Sequence, residues 1–205
     1  LVLAHQGWCV LHAAAVALPA GGAAFLGAAD LGKSTMTATF AAAGVTAITD
    51  DTLILTAPPG GDVIGHPAYP SIRVWPDTAE ALAGPAYRHQ GRVSDFNDKV
   101  RVGRSARFAF VTSGAPLRAM YILTPEVDAK APTIEPVPPR DRILEVVRHG
   151  FVLDWKGTDR LRAAFEEVSR VVDRVTVRRL RFRHDYAGLP AVRAAILEDM
   201  QSTAA

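Results

Sequence analysis

The stretch Gly27-Ala28-Ala29-Asp30-Leu31-Gly32-Lys33-Ser34, followed by Thr35, decides how the rest of the chain is read. It fits the pattern G-x-x-x-x-G-K-[ST]. Glycines let backbone N–H groups approach and wrap a phosphate. Lys33 is placed to neutralise β- and γ-phosphate charge, and the Ser34 hydroxyl to ligate magnesium. A helix starting there adds the positive end of its dipole. The required context is present: 23–26 is a predicted strand, and 34–43 a predicted helix stopped by Gly44. The plain alternative is a Gly/Ala-rich turn with a solvated lysine, and the flanking strand and helix argue against it.

C-terminal to this loop, the predicted strand 45–49 ends in Asp50-Asp51. In a doubly wound sheet the carboxyl ends of strands face the ligand crevice. Two carboxylates there serve a magnesium ion and proton transfer. A turn start is the bland reading of the same pair. N-terminal to the loop, 10–29 contains no Asp, Glu, Lys or Arg. A membrane span needs about 20 apolar residues, but Pro19-Ala20-Gly21-Gly22 breaks this run and most of the rest is alanine. Two strands, 8–18 and 23–26, joined by a turn fit better. His12 sits in the first of them, where both a core histidine and a substrate-contacting one stay open.

Further along, short strands are expected at 52–55, 72–75, 107–111, 117–123 and 175–182. Helices are expected at 76–82, 140–150, 158–172 and 189–200. The 158–172 helix places Leu161, Ala164, Phe165, Val168 and Val172 on one apolar stripe. The polar segment 84–103, which carries Lys99, is expected to be a mobile loop, and Pro-rich 124–139 a connector. Strands alternating with helices give an α/β class: a mixed sheet flanked by helices and containing a phosphate-binding loop.

Composition excludes several classes. The chain has 205 residues, 49% hydrophobic and 21% charged, which suits a globular fold. One cysteine, Cys9, rules out an intramolecular disulfide framework. Twenty-three basic and 21 acidic residues leave a net charge of +2, giving no support to a nucleic-acid partner. No Cys/His cluster has zinc spacing. Ser113 lacks a nucleophile-elbow context, and His184-Asp185 has no visible third partner. The run Arg178-Arg179-Leu180-Arg181-Phe182-Arg183 is foremost an edge or solvated strand, with an acidic-peptide dock as the sharper alternative.

The pattern resembles the C-terminal catalytic domain of the HPr kinase/phosphorylase family, and more closely the HPr-kinase-like proteins of lasso-peptide clusters. The resemblance rests on Leu11-His12-Ala13-Ala14, the 27–34 loop, and Gly44 ahead of Asp50-Asp51. It continues thinly through Pro70-Ser71-Ile72-Arg73-Val74-Trp75-Pro76, Asp98-Lys99 and Leu189-Pro190-Ala191-Val192. It implies ATP and Mg2+ as cofactors, Lys33 on the phosphates, and Ser34 with Asp50 on the metal. It further implies Asp51 as proton acceptor, His12 near the reacting atoms, and a cytoplasmic enzyme that phosphorylates serine. Arg73 is a candidate for stabilising the transferred phosphoryl group; Lys99 is a weaker one. Asp30 brings a carboxylate where the family has glycine. Ser71 stands where it has a magnesium-binding glutamate, and the Gly-Arg-Asn signature is not visible, which argues against HPr itself as substrate.

The expectation is one kinase-like unit over 1–205, with a nucleotide-binding core at 1–125 and an α/β extension at 126–205. Because the chain opens at Leu1 inside a strand-like run, an N-terminal segment is expected to precede it. The expected activity is ATP/Mg-dependent transfer to a serine of a peptide or small protein, with no nucleic-acid or membrane partner and with homo-oligomers admitted. The alternatives are a nucleotide-binding regulatory or scaffold protein, a phosphorylase, and a small-molecule kinase.

Overall fold

The computed structural model describes residues 8–84, 89–95, 97–105, 107–150 and 158–204. The chain enters as strand β1 (Cys9–Leu11), bends at His12, and continues as β2 (Ala13–Leu18). Pro19 and Ala20 turn it back into β3 (Gly21–Leu26), with Ala13 opposite Leu26 and Leu18 opposite Gly21. The uncharged stretch is therefore a hairpin of small side chains. The single strand expected over 8–18 is broken at His12, whose N–H donates to the His149 carbonyl at 2.6 Å. Among the described residues no helix is long and apolar enough to cross a membrane.

The loop after β3 leads into α1 (Lys33–Ala42). Gly32 caps it at φ 93°, a left-handed conformation that glycine adopts without steric cost. Met36, Thr37, Ala38, Thr39, Phe40 and Ala41 are all buried, so α1 is covered nearly all round. Its Ala/Thr-rich sequence follows from that enclosure, because small side chains let neighbours close in. Gly44 ends it as expected: at φ 86° its N–H reaches the Ala41 carbonyl, and the Val45 N–H reaches the Phe40 carbonyl.

Next come β4 (Thr46–Thr49), β5 (Leu53–Thr56), β6 (Ile64–His66), β7 (Ser71–Val74) and α2 (Pro76–Ala83). Pro76 opens α2, where a missing N–H costs nothing. The loop expected over 84–103 is corrected. Within it lie β8 (Arg92–Ser94) and β9 (Asn97–Gly103), which join β7 in a separate three-stranded sheet ordered β7-β9-β8. Val100 and Val102 of β9 are buried while Lys99 and Arg101 are not, a period-two pattern hidden by the surrounding charges.

The remaining elements are β10 (Ala115–Pro125), β11 (Thr133–Pro136), α3 (Pro139–Val147), α4 (Thr158–Val172), β12 (Thr176–Phe182) and α5 (Leu189–Ala204). The strand expected at 107–111 is reduced to one bridge, Phe110 with Ala47. The connector expected over 124–139 contains β11. On α4, Val168, Val171 and Val172 are buried, but Phe165 is 43% exposed, so the stripe is rotated from the expected one. The side chain of Leu161 lies outside the described residues.

Among the described residues the large sheet has nine strands and is mixed. β10 runs parallel to both β3 and β12, and its Met120, Tyr121 and Leu123 are at most 2% exposed, as a strand covered on both faces requires. β12 is not at an edge, since β10 flanks it on one side and antiparallel β11 on the other. Its arginines meet carboxylates of this chain: Arg178 with Asp199, Arg179 with Glu145, and Arg181 with Glu126 and Glu135. Arg183, just past the strand, pairs with Asp185.

Strand direction positions the site. β2 is antiparallel to both β3 and β4, so β3 and β4 point the same way. β10 and β12 share that direction. The ends of β3, β4 and β12 and the start of β2 therefore fall on one edge of the sheet. That edge carries the 27–34 loop, Asp50-Asp51, His184 and His12.

Candidate active site

At this edge a cavity of about 430 Å³ opens between the large and small sheets. His12, Asp30, Lys33, Ser34, Asp51, and Arg73 line it, together with Ala29, Gly32 and Thr35. Of the loop, Gly27, Ala28 and Leu31 do not line it: Gly27 is buried, Leu31 half-buried, and Ala28 exposed outside the cavity.

Lys33 is only 7% exposed, and its Nζ donates to the carbonyls of Gly27 and Ala28 at 2.8 and 2.9 Å. The ammonium is thus held inside the ring of the loop. Burial lowers its pKa, against the opposing influence of Asp50 and Asp51. Gly32 is required here for a second reason. A Cβ on it would lie 3.3 Å from His184 Nε2.

Asp50 is buried, at 3% exposure. Its Oδ2 accepts from the Ser34 hydroxyl at 3.1 Å and from the Arg73 backbone N–H at 2.8 Å. Its Oδ1 has no hydrogen-bond partner among the described residues. Burial pushes the carboxyl up to about 6, and the two donors only partly offset it. A buried oxygen without a partner, beside a serine hydroxyl, suits a hard cation that takes oxygen ligands. Among the described residues no cluster of three or more His, Cys, Asp or Glu forms a metal cage. That donor set fits magnesium, which keeps waters and phosphate oxygens and needs only one or two carboxylates.

Asp51 occupies an unusual backbone position. Its φ is 71°, and the Thr52 N–H donates to the Asp50 carbonyl at 2.9 Å across it. This is a γ-turn of positive φ, which is rare and strained. Thr49 Oγ1 fastens the turn by donating to the Thr52 carbonyl at 2.8 Å. Strain of about 1–3 kcal/mol persists only where surroundings hold it, and such positions cluster at functional sites. The carboxylate turns toward two basic groups. Arg73 Nη1 donates to Oδ2 at 2.9 Å, and His12 Nδ1 lies 3.3 Å from Oδ1 and 3.1 Å from the Asp51 carbonyl oxygen. The break between β1 and β2 is what turns His12 out of the core to this point.

Asp30 also has positive φ, 61°, as its tolerance of the left-handed region allows. Its Oδ1 accepts from Lys99 Nζ at 2.9 Å, and Lys99 in turn lies 5.2 Å from the centroid of the Trp75 ring. Lys99, through its hydrogen bond and charge, holds Asp30 below the ordinary carboxylate range. Lys99 is thus on a strand and at the cavity, not in an unattached loop. Ser71, by contrast, is buried, absent from the cavity lining, and its Oγ has no partner among the described residues.

The far wall went unread in the sequence. Trp75, Asp77 and Thr78 at the start of α2 face His184, Tyr186 and Leu189 after β12. Tyr186 donates to Asp77 at 3.0 Å and shares a 2.8 Å hydrogen bond with Thr78 Oγ1. The Pro76-Asp77 pair signalled only a helix start. The contact from 184–189 spans more than 100 residues and leaves no local trace.

No protein-family model and no curated protein matches the chain. Among solved structures it is similar to the HPr(Ser) kinase/phosphatase from Coxiella burnetii. That likeness is at 14% identity and a TM-score of 0.46, over 94% of this chain and 97% of that one.

Proposed function

We propose that this chain is an ATP- and magnesium-dependent kinase that transfers the terminal phosphate to a serine hydroxyl of a peptide or small protein. The supporting observation is one constellation: Asp51, on a strained turn between His12 and Arg73, opens into the same cavity as the 27–35 loop. The acceptor class rests on the sequence resemblance.

The roles follow from the chemistry. Backbone amides of the loop and Lys33 hold the phosphates. Ser34 and Asp50 would hold a magnesium ion, which would offset negative charge on the phosphates. Asp51 takes the proton of the acceptor hydroxyl as its oxygen bonds to the terminal phosphorus. The bond from that phosphorus to the bridging oxygen breaks, and the nucleoside diphosphate leaves. Arg73 neutralises charge on the group in flight, and His12 holds Asp51 in place. Catalysis is then mostly positioning and charge stabilisation.

Ser71 favours a second reading, a nucleotide-binding protein without transfer. With serine in place of a glutamate, the metal has one buried carboxylate to rely on.

The deciding experiment incubates the protein with MgATP and serine-containing peptides, with phosphopeptide read by mass spectrometry and MgATP affinity by calorimetry. Asp51→Asn is expected to lower transfer by roughly 10²- to 10⁴-fold while leaving MgATP affinity nearly unchanged. Equal loss of both would sink Asp51 as the base. Binding without transfer to any peptide would favour the second reading.

A further inference from the structure

Asp30 poses a problem for a site that holds polyphosphate, because it places a carboxylate on the loop itself. The geometry around it supplies the answer. Lys99 Nζ sits 2.9 Å from Asp30 Oδ1, and the lysine side chain is 27% exposed against 60% for the aspartate. Lys99 therefore reaches in from β9, and its side chain is the better enclosed of the two. Its ammonium lines the cavity with Lys33, close enough to depress the pKa of Lys33. The Trp75 ring, 5.2 Å from Nζ, supports the charged end from the side.

We infer that Lys99 is a second phosphate-binding lysine of this site, with Asp30 as the counter-ion that phosphate displaces. The inference rests on the phosphoryl-transfer reading above and adds a residue to it. The direction of exchange follows from relative strengths. A largely exposed carboxylate–ammonium pair contributes little. A multiply charged phosphate offers a stronger charge-assisted partner to the same ammonium. Asp30 then serves two ends: it keeps Lys99 aimed at the loop, and it gives the lysine up. Arg73 stands in the same relation to Asp51, so the two small-sheet cations that line the cavity each rest on an aspartate of the opposite side.

A purely structural clasp makes a different prediction, and the sign separates the two. If the pair merely straps β9 to the loop, removing either member weakens nucleotide binding. If Lys99 binds phosphate and Asp30 competes for it, the two substitutions act in opposite directions. The experiment titrates MgATP, and AMP as a probe lacking β- and γ-phosphates, into wild type, Lys33→Ala, Lys99→Met and Asp30→Asn. Methionine keeps an aliphatic stem on Trp75. Lys99→Met is expected to weaken MgATP by roughly 10- to 100-fold and to leave AMP unchanged. Asp30→Asn is expected to tighten MgATP by roughly 3- to 10-fold.

Weakening by both substitutions overturns the inference in favour of a clasp. An unchanged MgATP affinity in Lys99→Met overturns it outright, and if Lys33→Ala has lost binding in that series, the phosphate-loop reading stands alone. A wild type that binds no MgATP overturns both readings.

Discussion

The two sides of the cavity are built on opposite plans. The large sheet presents Asp30 and Asp51 from turns at positive φ and Lys33 from the first residue of α1, with Asp50 buried behind them. The small sheet presents Arg73 and Lys99 on long flexible stems that cross the gap. The first side sets position by backbone conformation, the second by reach. A one-atom change at Asp51 should therefore remove chemistry, whereas on the small-sheet side it should retune affinity and rate.

The largest effect expected is that of Asp51→Asn, already described. Arg73 comes next and tests the division. Arg73→Lys keeps charge but loses the planar fork. It is expected to lower transfer by roughly 10-fold, and Arg73→Ala by roughly 10²- to 10³-fold, with melting temperature nearly unmoved in both. A collapse in thermal stability on Arg73→Ala would mean that the small sheet is a structural prop, and the comparison would break.

Asp50 gives a smaller, oppositely signed effect. In the folded chain its carboxyl is pushed up to about 6, against 3.8 as its ordinary value. Between those values the folded chain keeps a proton that the unfolded chain has released. Stability falls as pH rises through this window and is level above it. Asp50→Asn removes the buried charge and is expected to stabilise the protein at neutral pH by about 1–3 kcal/mol. Denaturant melts at pH 4 and pH 7 check it: the gain should be present at pH 7 and shrink at pH 4. The same variant should lose magnesium-dependent nucleotide affinity. Gain in one and loss in the other would mark Asp50 as held for function.

The smallest effect sharpens the contrast from a distance. Glu135, on β11, lies 3.6 Å from Arg181 at an exposed surface. Glu135→Gln is expected to change stability by less than about 0.5 kcal/mol and transfer not at all. A rate change would show that the far end of the large sheet couples to the site.

Legibility in the sequence followed the same division. The loop, α1, its Gly44 stop and the Asp50-Asp51 pair are local patterns within 25 residues, and the structure has them where the periodicity and caps indicate. Of the opposing cations, Arg73 lies on a strand as expected, but Lys99 was misplaced, because β9 alternates valines with charged residues and reads as loop. Paired with β7, the same valines have a sheet to bury them. The wall of Asp77, Thr78, His184 and Tyr186 was invisible, since its partners are brought together only by the parallel placement of β12 beside β10. The break at His12 was missed for a related reason: the carbonyl that diverts its N–H belongs to His149.

The resting place of Lys99 also makes the molecule self-reporting. An indole with a cation near its ring has a perturbed excited state, and moving the cation alters its emission. With Trp8 and Trp155 replaced by phenylalanine, Trp75 is the sole tryptophan of the chain. Its fluorescence would then follow the departure of the Lys99 ammonium in real time, without label or coupled assay. Stopped-flow mixing would separate the arrival of nucleotide from the exchange of counter-ions.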